Sequence, residues 1–216
     1  MTPNDETEAR AYCAELTDSA GLERLDRLAA MVVEENARQN LMSKPSEGAV
    51  WQRHLADSAQ LLSHVPRETG PWLDLGTGAG FPGLVIAAMR PELEIVLVES
   101  RKKRVDWLVR AAAELGLQKC RVEGRRLEHV ETFEVGVISA RAFAPLVKLL
   151  ALSARFSTQH TLWLLPKGRS AVQEVASLPP QTGRLFHVEH SVTDPEAGIV
   201  IGTGRVAGAC RVRPHA

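Results

Sequence analysis

The chain has 216 residues, 44% hydrophobic and 24% charged, enough for one sizeable core with at most a small appendage. Lys plus Arg and Asp plus Glu both number 26, so the formal net charge is zero and any contact with nucleic acid must use a local basic patch. No apolar run approaches membrane-span length, the polar start MTPNDETEAR does not read as a signal peptide, and Cys13, Cys120 and Cys210 make neither a metal-ligand pattern nor a disulfide framework, so a reduced cytoplasmic setting is expected.

Residues 1 to about 66 read as a helical cap. Leu22, Leu25, Leu28, Ala29, Val32 and Val33 recur at helical spacing. A second helix, roughly Glu47 to Leu62, places Val50, Leu55, Ser58 and Leu62 near one face. The turn-rich stretch SHVPRETGP marks a boundary near Gly70. Apolar strands then alternate with helical patterns. PWLDL is a strand, followed by a glycine turn and a helix to about Met89. EIVLVES is a second strand, followed by a helix from Lys102 to Leu115 with Gly116 as its cap. CRVEG is a weaker third strand and VGVISA a fourth, leading into the helical PLVKLLALSARF. TLWLLPKG is a fifth. RLFHVEH and GIVIGTGRVA pair as a terminal hairpin, and GACRVRPHA is a frayed tail. Near-continuous apolar strands separated by helices predict a doubly wound, mostly parallel α/β sheet over residues 67–216, carrying the N-terminal cap.

In such a sheet, ligands bind beyond the carboxyl ends of the strands. Five segments fall there: the glycine turn, Glu99, GRRLEH, SARAFAP and PKGR. The turn reads Gly76-x-Gly78-x-Gly80-x-x-Gly83, which lets a ligand lie against backbone. Glu99 stands about 20 residues further on, where an acid accepts from ribose hydroxyls. Both features suit an adenosine-type ligand. Pro82 at the helix start lacks an N–H, and Asp74 adds negative charge before the loop; both disfavour a pyrophosphate and suit the cationic S-adenosylmethionine. A NAD(P)-dependent oxidoreductase and a non-catalytic, donor-binding ribosome-assembly factor stay open as alternatives.

The motifs NLMSK, RHLADS, DLGTGAGFPG, VESRKKR, SARAFAPL and LPKG occur in this order. Together they resemble the small-subunit ribosomal RNA methyltransferase G family over about residues 20–205. The resemblance implies a Rossmann-like enzyme that uses S-adenosylmethionine to methylate N7 of a guanine in 16S ribosomal RNA. It implies donor contacts at Gly76, Phe81, Leu127, Glu128 and Arg141, and the 16S RNA or the small ribosomal subunit as partner. Glu35-Asn36 and Met42 depart from the family's usual Trp-Asn and Thr.

Methylating N7 needs no general base, because the nitrogen carries an in-plane lone pair and no proton. Arg141 is therefore expected to bind and orient, donating to guanine O6, a phosphate or the donor's carboxylate, unless it simply pairs with a nearby acid. Phe81 stacks on a base, lines the donor pocket or packs in the core. His54 and Asp57, three apart on one helical face, are read as a pair joining cap to main domain, with an RNA or donor contact as the alternative. SRKKR at 100–104 touches RNA phosphates or forms a solvated face. Arg125, Arg126, Lys167 and Arg169, with Arg141, are expected to form a basic rim around the donor mouth. No metal site is expected, and the protein is expected to act as a monomer.

Overall fold

The computed structural model describes residues 3–66 and 69–206, so Cys210 and the expected frayed tail lie outside the described residues. Side-chain caps start the first two helices. Asp5 accepts from Glu8 N at the start of α1 (Glu6–Leu16), and Asp18 accepts from Gly21 N at the start of α2 (Ser19–Gln39). Asn40, in the left-handed region at φ 49°, ends α2. Leu25, Leu28 and Val32 form the buried stripe of α2 as its spacing predicts. Val33, however, is 45% exposed, and the next stripe positions are taken by the polar Glu35 and Asn36.

After a short turn, α3 (Lys44–Glu47), the expected second helix appears as three coupled pieces. These are a π-helical turn (Trp51–Ala56), α4 (Asp57–Ala59) and a 3-10 segment (Gln60–His64). Val50, Leu55 and Ser58 are buried as predicted.

Seven strands follow: β1 (Trp72–Leu75), β2 (Ile95–Val98), β3 (Cys120–Glu123), β4 (Val135–Ala140), β5 (Ser157–Gly168), β6 (Phe186–His190) and β7 (Gly198–Thr203). They form one sheet in the order β3-β2-β1-β4-β5-β7-β6. The first five are parallel, and β7 runs antiparallel to β5 and β6. Helices α5 (Gly83–Met89), α6 (Lys102–Glu114), α7 (Leu146–Ser153), α8 (Ala171–Ala176) and α9 (Pro180–Gly183) connect them. No described helix is long and apolar enough to cross a membrane.

Period-2 alternation divides the strand side chains between two cores. Trp72, Ile95, Leu97, Val137 and Leu164 face α2, α5 and α6. Leu73, Val96, Val98, Ile138 and Trp163 face α7 and α8. Leu25, Leu28, Val32 and Leu55 of the N-terminal helices belong to the first core. Polar links reinforce this contact: Thr17 Oγ1 donates to Met89 O (3.2 Å), Arg24 Nε to Ala88 O (2.6 Å), and Arg110 Nη2 to the buried Glu35 (2.9 Å). The first two use carbonyls that the end of α5 leaves without helical partners. The strand order reverses between β1 and β4, the place where open α/β sheets bind ligands, and a cavity lies alongside it between the loops after β4 and β5, the stretch before β7 and the cap.

Candidate functional site: a cleft at the carboxyl ends of the sheet

The glycine turn is organised from beneath by Asp74. This carboxylate is fully buried, accepts Gly83 N at 3.0 Å and Ser139 Oγ at 2.7 Å, and Ser139 in turn accepts Trp72 Nε1 at 2.8 Å. Burial pushes its pKa up, against the hydrogen bonds from Ser139 and Gly83. Asp74, expected among the donor-binding residues for its negative charge before the loop, turns its oxygens inward and fixes the loop from beneath. Gly83 is required by close approach, since a Cβ there would lie 2.4 Å from Leu97 Cδ2 and 2.8 Å from Asp74. The first N–H groups of α5 are engaged by Asp74, Gly80 O and Pro82 O, so this helix start offers no cradle of free donors to a pyrophosphate. Gly76, at φ 64°, holds a conformation that disfavours a side chain. A Cβ on it would meet the ring of Phe143 at 2.4 Å.

Parallel pairing sets Leu75 beside Val98, so Glu99 emerges next to the turn, and Thr77 N donates to Val98 O. Glu99 Oε1 accepts from Ser100 N (2.7 Å) and Arg101 N (2.8 Å), while Oε2 lies 4.0 Å from Arg104 Nη1. Within the SRKKR run, Arg101, Lys102 and Lys103 are exposed, whereas Arg104 turns inward over Gly78 and Glu99.

Arg141, after β4, is the hub of the cleft. Its Nη1 donates to Arg53 O (3.0 Å) and Asp57 Oδ2 (3.2 Å), and its Nη2 to His54 Nδ1 (3.0 Å). The guanidinium also lies over the Phe81 ring, 5.1 Å from its centre, and the His54 imidazole stacks on the same ring at 4.9 Å with planes 2° apart. Asp57 further accepts from Gln60 Nε2 and Thr193 Oγ1. The expected joining of cap to main domain is therefore present, with Arg141 between His54 and Asp57. Burial, with Arg141 and Arg53 nearby, lowers the His54 pKa to about 3, so the ring is neutral. Beside this hub lies a cavity of about 1110 Å³ whose wall includes Arg53, His54, Arg141, Phe143, Pro166 and Thr193.

Residues 21–194 match the profile of the GidB family, described as rRNA small subunit methyltransferase G. Relatives carrying the name ribosomal RNA small subunit methyltransferase G include one from Erythrobacter litoralis, 62% identical, the match covering 93% of this chain and 97% of the relative. Another, from Novosphingobium aromaticivorans, is 52% identical over all of this chain and 94% of its own length. The chain belongs to the rRNA small subunit methyltransferase G family. Among solved structures, a SAM-dependent methyltransferase from Aquifex aeolicus superposes with a TM-score of 0.54 at 15% identity, covering 74% of this chain and 94% of its own. The YcgJ protein of Bacillus subtilis does so at 0.51 and 14%, covering 71% of this chain and 100% of its own. At such identities the likeness speaks for the fold.

Of the positions singled out in the sequence, Arg141 lines the cavity, Gly76 abuts Phe143 of its wall, and Phe81 is buried in the first core with its ring against His54 and Arg141, whereas Glu99 lies beside the glycine turn and outside that wall. Gly78 and Gly80 complete the turn, both at positive φ. Leu127 starts a 3-10 turn (Leu127–His129), but its side chain is buried in the second core, so any contact there is left to backbone or to the exposed Glu128. The basic rim does not form as expected. Lys167 has a side chain only 8% exposed and is held by Glu174 Oε2 (3.0 Å) and Ala144 O (2.6 Å). It clamps the 141–145 loop to α8 instead of facing solvent. Arg125 pairs with Glu123 and Arg169 with Glu196, while Arg126 is exposed. Sequence reasoning missed Phe143 and Arg104 as cleft residues, although both lie inside quoted motifs.

Proposed function

We propose that this chain methylates N7 of a guanine in 16S ribosomal RNA with S-adenosylmethionine as donor, working in the cytoplasm on the RNA or on the small ribosomal subunit. The observation that carries this reading is the family match, because residues 21–194 span the cap hub and every loop at the carboxyl ends of β1 to β5. The residues present fit the donor. Glu99 keeps Oε2 clear of the backbone donors that hold Oε1, as an acceptor for ribose hydroxyls beside the glycine turn. When bound, the donor supplies an electrophilic methyl group on a sulfonium.

The target nitrogen needs no base, so the chain's own residues have only to orient and to exclude water. Arg141 is already fixed by three acceptors, and its Nε–H and second Nη2 hydrogen remain for an anion or for guanine O6. A cation that donates in its own plane recognises the base edge without stacking on a product ring that becomes positive. Arg101, Lys102 and Lys103, exposed at the start of α6, and Arg126 offer contacts for RNA phosphates.

The test is transfer from tritiated donor to 16S RNA, naked or assembled. Label confined to one guanine, mapped as N7-methylguanine and absent from ribosomal RNA of cells lacking the protein, is expected. No transfer to either form of the RNA would overturn the enzymatic reading.

A further inference from the structure

Arginine is a donor only, so the His54 nitrogen that faces Arg141 Nη2, Nδ1, must accept. The neutral imidazole then carries its proton on Nε2. That Nε2 is shielded from solvent and has no hydrogen-bond partner, although the ring belongs to the cavity wall. A buried N–H left without an acceptor is unfavourable, and such groups in native proteins are rare enough to require a reason. The depressed pKa supports the same protonation state, since a ring that stays neutral keeps one donor and one acceptor.

The surroundings say which acceptor suits it. His54 and Arg141 lie against one face of Phe81, in the loop that also carries Gly76. Arg141 brings a positive charge with donors to spare, and the carboxylate paired with it, Asp57, is already engaged by Arg141, Gln60 and Thr193. A group that meets the His54 Nε2–H must be an acceptor, and the field of Arg141 and Arg53 favours an anion.

We propose that His54 is a donor-binding residue, whose Nε2–H, together with Arg141, holds the carboxylate of the amino-acid end of S-adenosylmethionine. Arg141 sets the tautomer and His54 delivers the hydrogen bond, so the cap supplies part of the donor site. The proposal rests on the methyltransferase reading above.

The experiment titrates two probes, S-adenosylhomocysteine and 5′-methylthioadenosine, into the wild-type chain, His54→Phe and His54→Gln. The second probe has the same adenosine and thioether but no carboxylate. A hydrogen bond to a charged group corresponds to roughly ten- to a hundredfold in affinity. His54→Phe is expected to lose about that factor for S-adenosylhomocysteine and to keep its affinity for methylthioadenosine, which also reports that the site is folded. His54→Gln, whose amide still donates, is expected to recover part of the loss. Equal losses for both probes would overturn the assignment. So would unchanged S-adenosylhomocysteine affinity with a raised KM for RNA, which would place the partner of Nε2 on the base. If neither probe binds the wild-type chain, the methyltransferase reading itself fails.

Discussion

At the scale of single residues, Arg141 is an anchor before it is anything else. Removing its side chain leaves Asp57, His54 Nδ1 and the Arg53 carbonyl short of a donor at a half-buried position. Hydrogen bonds to charged groups contribute about 1.5–3 kcal/mol, so Arg141→Ala is expected to lower unfolding free energy by about 2 kcal/mol and to bring methylation to background. Arg141→Lys keeps the charge but lacks the planar fork that reaches three acceptors, so most of both losses should remain. Denaturant titration and a methyl-transfer assay read the two effects, and a folded Arg141→Ala enzyme with full activity would remove the residue from the site. His54 adds a dependence on pH. The unfolded chain takes up the histidine proton below about pH 6.5, the folded chain only near 3. Between these values the unfolded state binds more protons, so stability falls as pH falls, with a slope approaching about 1.4 kcal/mol per pH unit. Asp26, Glu35 and Glu174, held below their ordinary 3.8 and 4.5, add losses only at lower pH, and the raised Asp74 acts in the opposite direction. His54→Gln removes the titrating group, and its stability should be flatter between pH 6.5 and 4.5. Equal slopes for variant and parent would show that the histidine is not held neutral.

At the scale of elements, the glycine turn works because α5 sits directly on β1 and β2. Gly83→Ala places a methyl group against Leu97 and Asp74, and overpacking of this kind costs about 1–3 kcal/mol. A lower Tm together with weaker donor binding is expected, since Asp74 then loses its hold on the loop. A variant as stable as the parent would mean that α5 shifts freely. The loop after β4 is held in a less favourable shape, with Ala142 at φ 52° between Arg141 and Phe143. Lys167 and Glu174 tie down its far end, through Ala144 O and Leu146 N. These arrangements mark how far the sequence could be read. Strands β1, β2, β4 and β7 were legible because they are near-continuous apolar runs, unlike the polar β3 and β6, and α1 and α2 carry ordinary acidic caps. The loops at the carboxyl ends were legible as a group, since topology alone gathers them. The π-helical turn was not, because its residues fit a 3.6-residue period well enough to look regular. The first four residues of β5, Ser157 to His160, are polar and carry no strand signal. Lys167 looked like a rim cation because its partner Glu174 lies on α8, a six-residue helix without a clear periodic pattern. The Arg141–His54 bond joins residues 87 apart, a separation at which no local spacing rule operates.

At the scale of the whole molecule, the N-terminal helices and the sheet share one apolar core. Leu25, Leu28 and Val32 of α2 are fully buried in the cluster that holds Leu84 and Ile86 of α5, Trp107 of α6 and Trp72 of β1. Glu35–Arg110 and the two bonds onto the end of α5 add specificity at the same contact. Shared burial of this kind couples the two parts energetically, because neither can unfold without exposing the other's apolar face. Leu28→Ala therefore tests more than α2. A large-to-small change at a fully buried leucine costs about 2–5 kcal/mol, and in a cooperative molecule that loss should shift the entire transition. With Trp51 of the π-helical turn replaced by Phe in parent and variant alike, the remaining Trp72, Trp107 and Trp163 lie outside the N-terminal helices and report on the sheet by fluorescence, while far-ultraviolet dichroism reports helix content throughout. In Leu28→Ala both signals are expected to move together to a lower midpoint with an unchanged denaturant slope. Methylation should fall at temperatures well below that midpoint only if the hub loosens locally, because Arg53, His54 and Asp57 sit on the segment that α1 and α2 support. Two separated transitions, with tryptophan fluorescence unmoved by the substitution, would show instead that the cap unfolds independently and that Arg141 joins two separately stable units.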